Sequence, residues 1–124
     1  MTTTMKIATL CEKQGYRCVY CGCKLKLTRK GKGFDSRFSP ETGATIDHII
    51  PKREGGMNYD WNYAVCCHKC NTLKGALMPE EFLKRYRAKF PKGFYKFRIE
   101  KHKWGIRYRV SDNRTIDIKD KWKG

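Results

Sequence analysis

Two Cys-x-x-Cys pairs, Cys18 with Cys21 and Cys67 with Cys70, place four thiols at the spacing of metal knuckles. Two such arms joined by a long loop suit a tetrahedral zinc ion, which four thiolates close off completely. An ion without an open position does no catalysis; its work is to pin the segments that carry it. Cys11, Cys23 and Cys66 complete the seven cysteines. Cys11 reads as a small buried apolar residue. Cys23 reads as a bystander, with a swapped register that recruits it as the alternative. Between the arms stand Asp47-His48 and Asn62, and Asn71 and Lys74 follow the second arm. A neutral imidazole is the natural base near neutral pH, which makes His48 the candidate for activating a water. Asp47 directly precedes it. On a regular strand their side chains face opposite ways, so they serve one site only where the strand distorts. His68, between the knuckle cysteines, reads as exposed, with a ligand role as the minor alternative.

Charge suggests what such chemistry acts on. The chain carries 28 basic and 12 acidic residues, a formal net charge of +16. Solubility needs far less, and the cheapest explanation is a polyanionic partner, most often nucleic acid; the bland alternative is a solvated basic surface. Residues 39–79 carry four charges of each sign, whereas residues 22–38 and 80–124 are strongly basic. A neutral chemical centre between basic segments suits a site that grips a phosphate backbone from both sides. A membrane surface is disfavoured because no long basic amphipathic helix is visible, and no apolar run approaches spanning length. The odd cysteine count is awkward for a disulfide scaffold, and only a short apolar patch at Ile7–Cys11 lies near the N-terminus. The expectation is a soluble protein of a reducing compartment, without a signal peptide.

The series D-H-I-I-P at residues 47–51, then Asn62, then C-x-x-C-N-x-x-K-G at residues 67–75 resembles the HNH endonuclease family in its zinc-bound ββα-metal form. The resemblance runs from Cys18 to Gly75 and leaves the C-terminal third uncovered. It implies metal-dependent hydrolysis of DNA phosphodiester bonds, by nicking or by double-strand cleavage. In that reading His48 is the base, and Asp47 and Asn71 hold the catalytic divalent ion. Asn62 braces the loop between the strands. Many relatives carry a third His where this chain has Asn71, and an H-N-N variant is also familiar. An amide oxygen beside a carboxylate is a hard donor set, suited to Mg²⁺ or Mn²⁺. Such an ion neutralises the phosphate and the leaving oxygen as a Lewis acid. Lys74, one helical turn beyond Asn71, either points at a phosphate or is merely solvated. Arg53 is a weaker phosphate candidate. The short chain hints at a phage or mobile element, hence at the cytoplasm of a bacterial or phage-infected host cell. Two alternatives are a non-catalytic zinc-ribbon module that binds DNA or RNA, and a ribosomal-type zinc protein on structured RNA. Both explain cysteines and charge, but not Asp47-His48, Asn62 and Asn71 together.

The elements that must position these residues follow from patterning, and their sum is an α+β fold. Residues 4–14 form a short helix with Ile7, Leu10 and Cys11 on one face, ended by Gly15. Residues 24–28 alternate as a strand, and residues 29–43 form a loop rich in Gly and basic residues. Residues 44–50 are a strand limited by Pro51, residues 62–66 a second strand, and a helix starts near Cys70. That order is the zinc-stapled ββα-metal finger the resemblance implies. Pro79 with Glu80 and Glu81 opens another helix, with Phe82, Leu83, Tyr86 and Phe90 on its apolar face. The tail alternates strictly and forms a three-stranded antiparallel sheet. One of its faces carries Lys96, Arg98, Arg107 and Arg109, free to meet phosphate. Residues 1–78 are thus read as the nuclease core with its four-cysteine zinc site. Residues 79–124 are read as a basic helix plus β-meander appendage that binds DNA.

Overall fold

The computed structural model describes residues 3–26 and 43–119. The expected strand at 24–28 lies partly outside this range, and the basic loop at 29–43 almost wholly so. Helix α1 spans Thr3–Lys13 and buries Ile7, Leu10 and Cys11. Gly15, at φ 71, turns the chain back toward the first knuckle, a conformation that glycine adopts without strain.

Strand β1, Ala44–His48, pairs antiparallel with β2, Tyr63–Cys67, from Ala44↔Cys67 to His48↔Tyr63. All five β2 residues are buried, as their apolar run YAVCC requires. The outer edge of β2 is covered by a side chain. The Gln14 amide donates to Val65 O at 2.8 Å and accepts from Val65 N at 2.9 Å, one rung of a ladder made without a strand. Helix α2, His68–Lys74, starts without a linker: Cys67 ends β2 and is also the N-cap, its Sγ accepting from Cys70 N.

Helix α3, Pro79–Arg85, has Pro at its start and Glu80 and Glu81 in its first turn. It is shorter than its apolar pattern suggests. Tyr86 leaves helical geometry at φ −114 and ψ 33, and a 3₁₀ turn at Arg87–Lys89 delivers Phe90 to the core. Strands β3 (Phe97–His102), β4 (Gly105–Val110) and β5 (Thr115–Lys119) form the antiparallel meander in the order β3-β4-β5. Their inward face is Phe97, Ile106, Tyr108, Val110, Ile116 and Ile118. Tyr108 donates its hydroxyl to Glu80, fastening α3 to the sheet.

The boundary expected at 78/79 carries no break in the core. Tyr20, inside the first knuckle, packs its ring on Phe82, Phe94 and Phe97 with centroids 5.4, 4.9 and 5.5 Å away. Tyr95 N donates to Tyr20 O at 2.8 Å, and its ring lies so close to Gly22 that a Cβ there would clash at 2.6 Å. One apolar cluster therefore runs from α1 through both knuckles into the tail sheet. No helix among the described residues is long and apolar enough to cross a membrane.

Candidate functional site

The four knuckle sulfurs converge. Those of Cys18, Cys21, Cys67 and Cys70 lie within 4.8 Å of one another, positioned to hold a metal ion. The sulfurs of Cys21 and Cys67 are 3.8 Å apart. A tetrahedral zinc with bonds of about 2.3 Å needs sulfur–sulfur edges of about 3.8 Å, so the cage has the right size. Each arm donates a backbone N–H to its own first sulfur, Cys21 N to Cys18 Sγ and Cys70 N to Cys67 Sγ, both at 3.4 Å. The crowded thiols share their protons unequally: hydrogen bonds from Cys18 and neighbouring thiols hold Cys21 and Cys67 below the ordinary thiol range, while burial raises Cys18 and the bond with Cys18 raises Cys70. Cys23 stands against this cage, hydrogen-bonded to Cys18 and Cys21, but is not one of its four convergent ligands. Cys66 points to the other side, near the Thr45 hydroxyl at 3.7 Å.

His48 ends β1 half-buried. Its Nε2 is 2.8 Å from Asn58 Oδ1, and its ring meets Tyr63 edge-on at 4.9 Å. An amide oxygen only accepts, so Nε2 carries the proton and the Nδ1 lone pair is left for a reacting group. Asn62 is fully buried and bridges the loop that follows. Its Oδ1 accepts from Ile50 N at 2.8 Å, and its Nδ2 donates to Ile50 O and Met57 O, each at 3.0 Å. The Asn62 amide thus fixes both ends of the loop that delivers Asn58 to His48. Asn71 reaches across from α2 to β1, its Nδ2 donating to Thr45 Oγ1 at 2.9 Å and Ile46 O at 3.2 Å.

Asp47 and Lys74 sit otherwise than the sequence suggests. The β1–β2 register is regular through His48, so the strand does not distort to bring Asp47 and His48 to one face. The Asp47 carboxylate, 4% exposed, looks inward: Tyr20 OH donates to Oδ2 at 2.6 Å, and Lys74 Nζ lies 3.3 Å from each oxygen. Lys74 also donates to His48 O at 2.9 Å. It is fully buried, which corrects both its reading as a phosphate contact and its reading as a solvated lysine. The cause is helical spacing: one turn beyond Asn71 is the face packed on β1, and a buried ammonium there needs an anion as its partner. Burial pushes the Asp47 carboxyl up further than Lys74 and Tyr20 pull it down. Taking such a pair out of water is costly, and breaking it by removing one partner costs about 3–5 kcal/mol.

The basic face of the tail sheet exists but is partly neutralised. Arg98 and Arg109 are cross-strand partners on it. Arg109 Nε donates to Glu100 at 2.6 Å, and Arg107 makes a two-pronged pair with Asp117 at 2.7 and 3.1 Å. Arg107 and Arg109 are therefore not bare cations, a correction to the expected free face. Lys96, Arg98 and Arg109 line an open groove of about 340 Å³ with Tyr95 and Asn113. Arg53 is exposed beside Glu54, at 3.9 Å. Tyr20, Asn58 and Arg114 carry no local signal in the sequence. Arg114 donates to the carbonyls of Asp60, Trp61 and Tyr63, locking the loop before β2 from the tail side.

The crystal structure of the type II-C Cas9 enzyme from Actinomyces naeslundii superposes on 67% of the chain with a TM-score of 0.51 and 21% identity. The match spans 7% of that much longer protein, and at this identity it speaks for the fold alone. No curated protein sequence matches. A family profile described as HNH endonuclease matches residues 18–87, more than half of the chain, covering both knuckles, Asp47-His48, Asn62 and Asn71. The chain belongs to the HNH endonuclease family.

Proposed function

We propose that this protein is a metal-dependent endonuclease that hydrolyses DNA phosphodiester bonds. The observation that carries the reading is His48, half-buried and oriented by Asn58, at the end of a strand whose loop is locked by Asn62. A base held in one tautomer, with Nδ1 unused by that bond, is what activation of a water requires. A non-catalytic zinc module would explain the thiol cage but has no use for this assembly.

His48 Nδ1 takes the proton of the attacking water. Asn58 keeps the other ring nitrogen protonated, so the ring presents one face of its chemistry only. The basic surface supplies affinity through Lys96, Arg98 and Arg53, with Arg107 and Arg109 contributing less while they hold Asp117 and Glu100. The thiol cage is assigned to zinc, which four sulfurs at this spacing favour.

The catalytic ion is assigned to Asp47 and Asn71. Carboxylate and amide oxygens are hard donors, but Tyr20 and Lys74 hold both Asp47 oxygens and the regular strand turns them away from His48, so an ion binds there only by displacing the Lys74 ammonium and turning the carboxylate. When bound there, Mg²⁺ or Mn²⁺ would neutralise charge on the phosphate and the leaving oxygen. Lys74 and the ion then compete for Asp47, which can be tested apart from activity. Lys74→Met should lower metal-free stability by about 3–5 kcal/mol. It should also gain more in melting temperature from Mn²⁺ than wild type does. If Mn²⁺ raised both proteins equally, Asp47 would not be a ligand of that ion.

The direct test of the function is a supercoiled plasmid. The wild-type protein should convert it to open-circle or linear form with Mg²⁺ or Mn²⁺, and should stop on addition of EDTA. An intact plasmid with each metal, at protein concentrations that bind it, would leave the binding-module reading standing.

A further inference from the structure

The loop before β2 presents what a folded chain normally hides. Tyr59 is 55% exposed, Trp61 38% and Met57 45%, three of the five large hydrophobic residues exposed among those described. Scattered exposed apolar residues need no explanation, but three within five positions do. The Tyr59 and Trp61 rings lie 6.3 Å apart, tilted by 34°, and form a shelf. With Asn58 and Asp60 they line an open hollow of about 520 Å³.

The backbone beneath this shelf is clamped from two sides. Asn62 holds Met57 O from the core, and Arg114 holds the carbonyls of Asp60, Trp61 and Tyr63 from the tail. Exposed rings on a fixed backbone lose little freedom on binding, which is the arrangement of a preformed contact surface. The neighbouring residue Asn58 is the one that orients His48. Asn58 thus links the hollow to the residue taken as the base.

We infer that Tyr59 and Trp61 stack an unpaired nucleobase of the DNA strand next to the bond to be cut. This rests on the proposed DNA hydrolysis and adds a substrate class to it: duplex with locally unstacked bases, rather than regular duplex. Charge chooses the occupant. The net charge of +16 brings DNA to the protein, yet no Lys or Arg among the described residues lines this hollow and Asp60 does. A phosphate finds no cation among the described residues that line the hollow, whereas a base offers a flat π-face to the two rings. Stacking on aromatic side chains is tolerant of sequence, so the preference is for an unpaired base and not for a particular one.

The test measures binding in EDTA, so that chemistry plays no part. The probes are a short DNA duplex and the same duplex with a central unpaired bubble containing 2-aminopurine, at one fixed salt concentration. Wild type should bind the bubble more tightly and quench the 2-aminopurine. Replacing both Tyr59→Ser and Trp61→Ser should weaken bubble binding by about fivefold to a hundredfold and restore the fluorescence. Affinity for the regular duplex should hardly change. Tyr59→Phe with Trp61→Phe should keep most of the preference, since the rings remain. Equal affinity of wild type for the two probes, or a bubble preference that survives the double Ser variant, would overturn the inference even if plasmids are cut normally. A wild type that quenches the probe but cuts no plasmid with any divalent ion would uphold stacking and sink the hydrolysis reading alone.

Discussion

Cys67→Ser is expected to leave the protein largely unfolded at temperatures where the wild type is folded, with its bound zinc lost. The thiol cage joins β2, α2 and the first knuckle, and that knuckle carries Tyr20 into the aromatic core of the tail. Loss of the cage thus loosens every layer at once. Structural zinc binds with roughly 10–16 kcal/mol, and that binding energy is folding energy. Even a quarter of it, about 2.5–4 kcal/mol per ligand, is a large part of the about 5–15 kcal/mol by which a domain is stable. Cys67 is the most telling of the four, because its sulfur also caps α2. Metal content by mass spectrometry and thermal unfolding by circular dichroism read the outcome. Wild type should hold about one zinc per chain. Cys23→Ser should keep that zinc and melt within a few degrees of wild type, although Cys23 stands against the cage. Equal damage from Cys23→Ser would show that the ligand register is swapped.

What can be read from the sequence is local, and what cannot is long-range. The knuckles, the order strand, strand, helix and the tail meander all follow from spacing and periodicity within a few residues. Patterning carries the first strand to Ile50, yet it ends at His48. The reason is that the Asn62 side chain takes both the N–H and the C=O of Ile50, withdrawing them from the ladder. Helical spacing places Lys74 on the face of Asn71, but hydropathy suggests solvent or phosphate. Only the packing of α2 on β1 shows that this face is interior, and that Asp47 waits there with Tyr20. Alternation likewise puts Arg107 and Arg109 on one face of the sheet. It does not say that the register sets Asp117 directly opposite Arg107, or that Arg109 reaches Glu100. Gln14 on Val65 and Arg114 on the loop before β2 are contacts across half the chain, for which periodicity carries no signal.

His48→Ala should reduce cleavage by about two to four orders of magnitude, the usual share of a positioned general base. Fold and DNA affinity should stay close to wild type, because a base acts in the transition state and does little for the ground state. The surroundings of His48 make this a clean experiment. The side chain is half-buried, in contact with Asn58 and the edge of Tyr63. The carbonyl that receives the Lys74 ammonium belongs to the backbone and survives the substitution. Asp47→Ala would be a poor substitute. It strips the partner from a buried lysine and a buried tyrosine hydroxyl, so lost cleavage would be confounded with lost stability. Single-turnover cleavage at saturating DNA, with metal and pH matched, measures the chemical step. Binding in EDTA and a thermal melt supply the controls. A residual rate within about tenfold of wild type would exclude His48 as the base. Asn58→Ala provides the graded companion, because it leaves the imidazole in place but frees its tautomer. Its loss should fall between wild type and His48→Ala, with affinity again unchanged. A rate as low as that of His48→Ala would mean that orientation, and not merely the presence of the ring, sets the rate of the step.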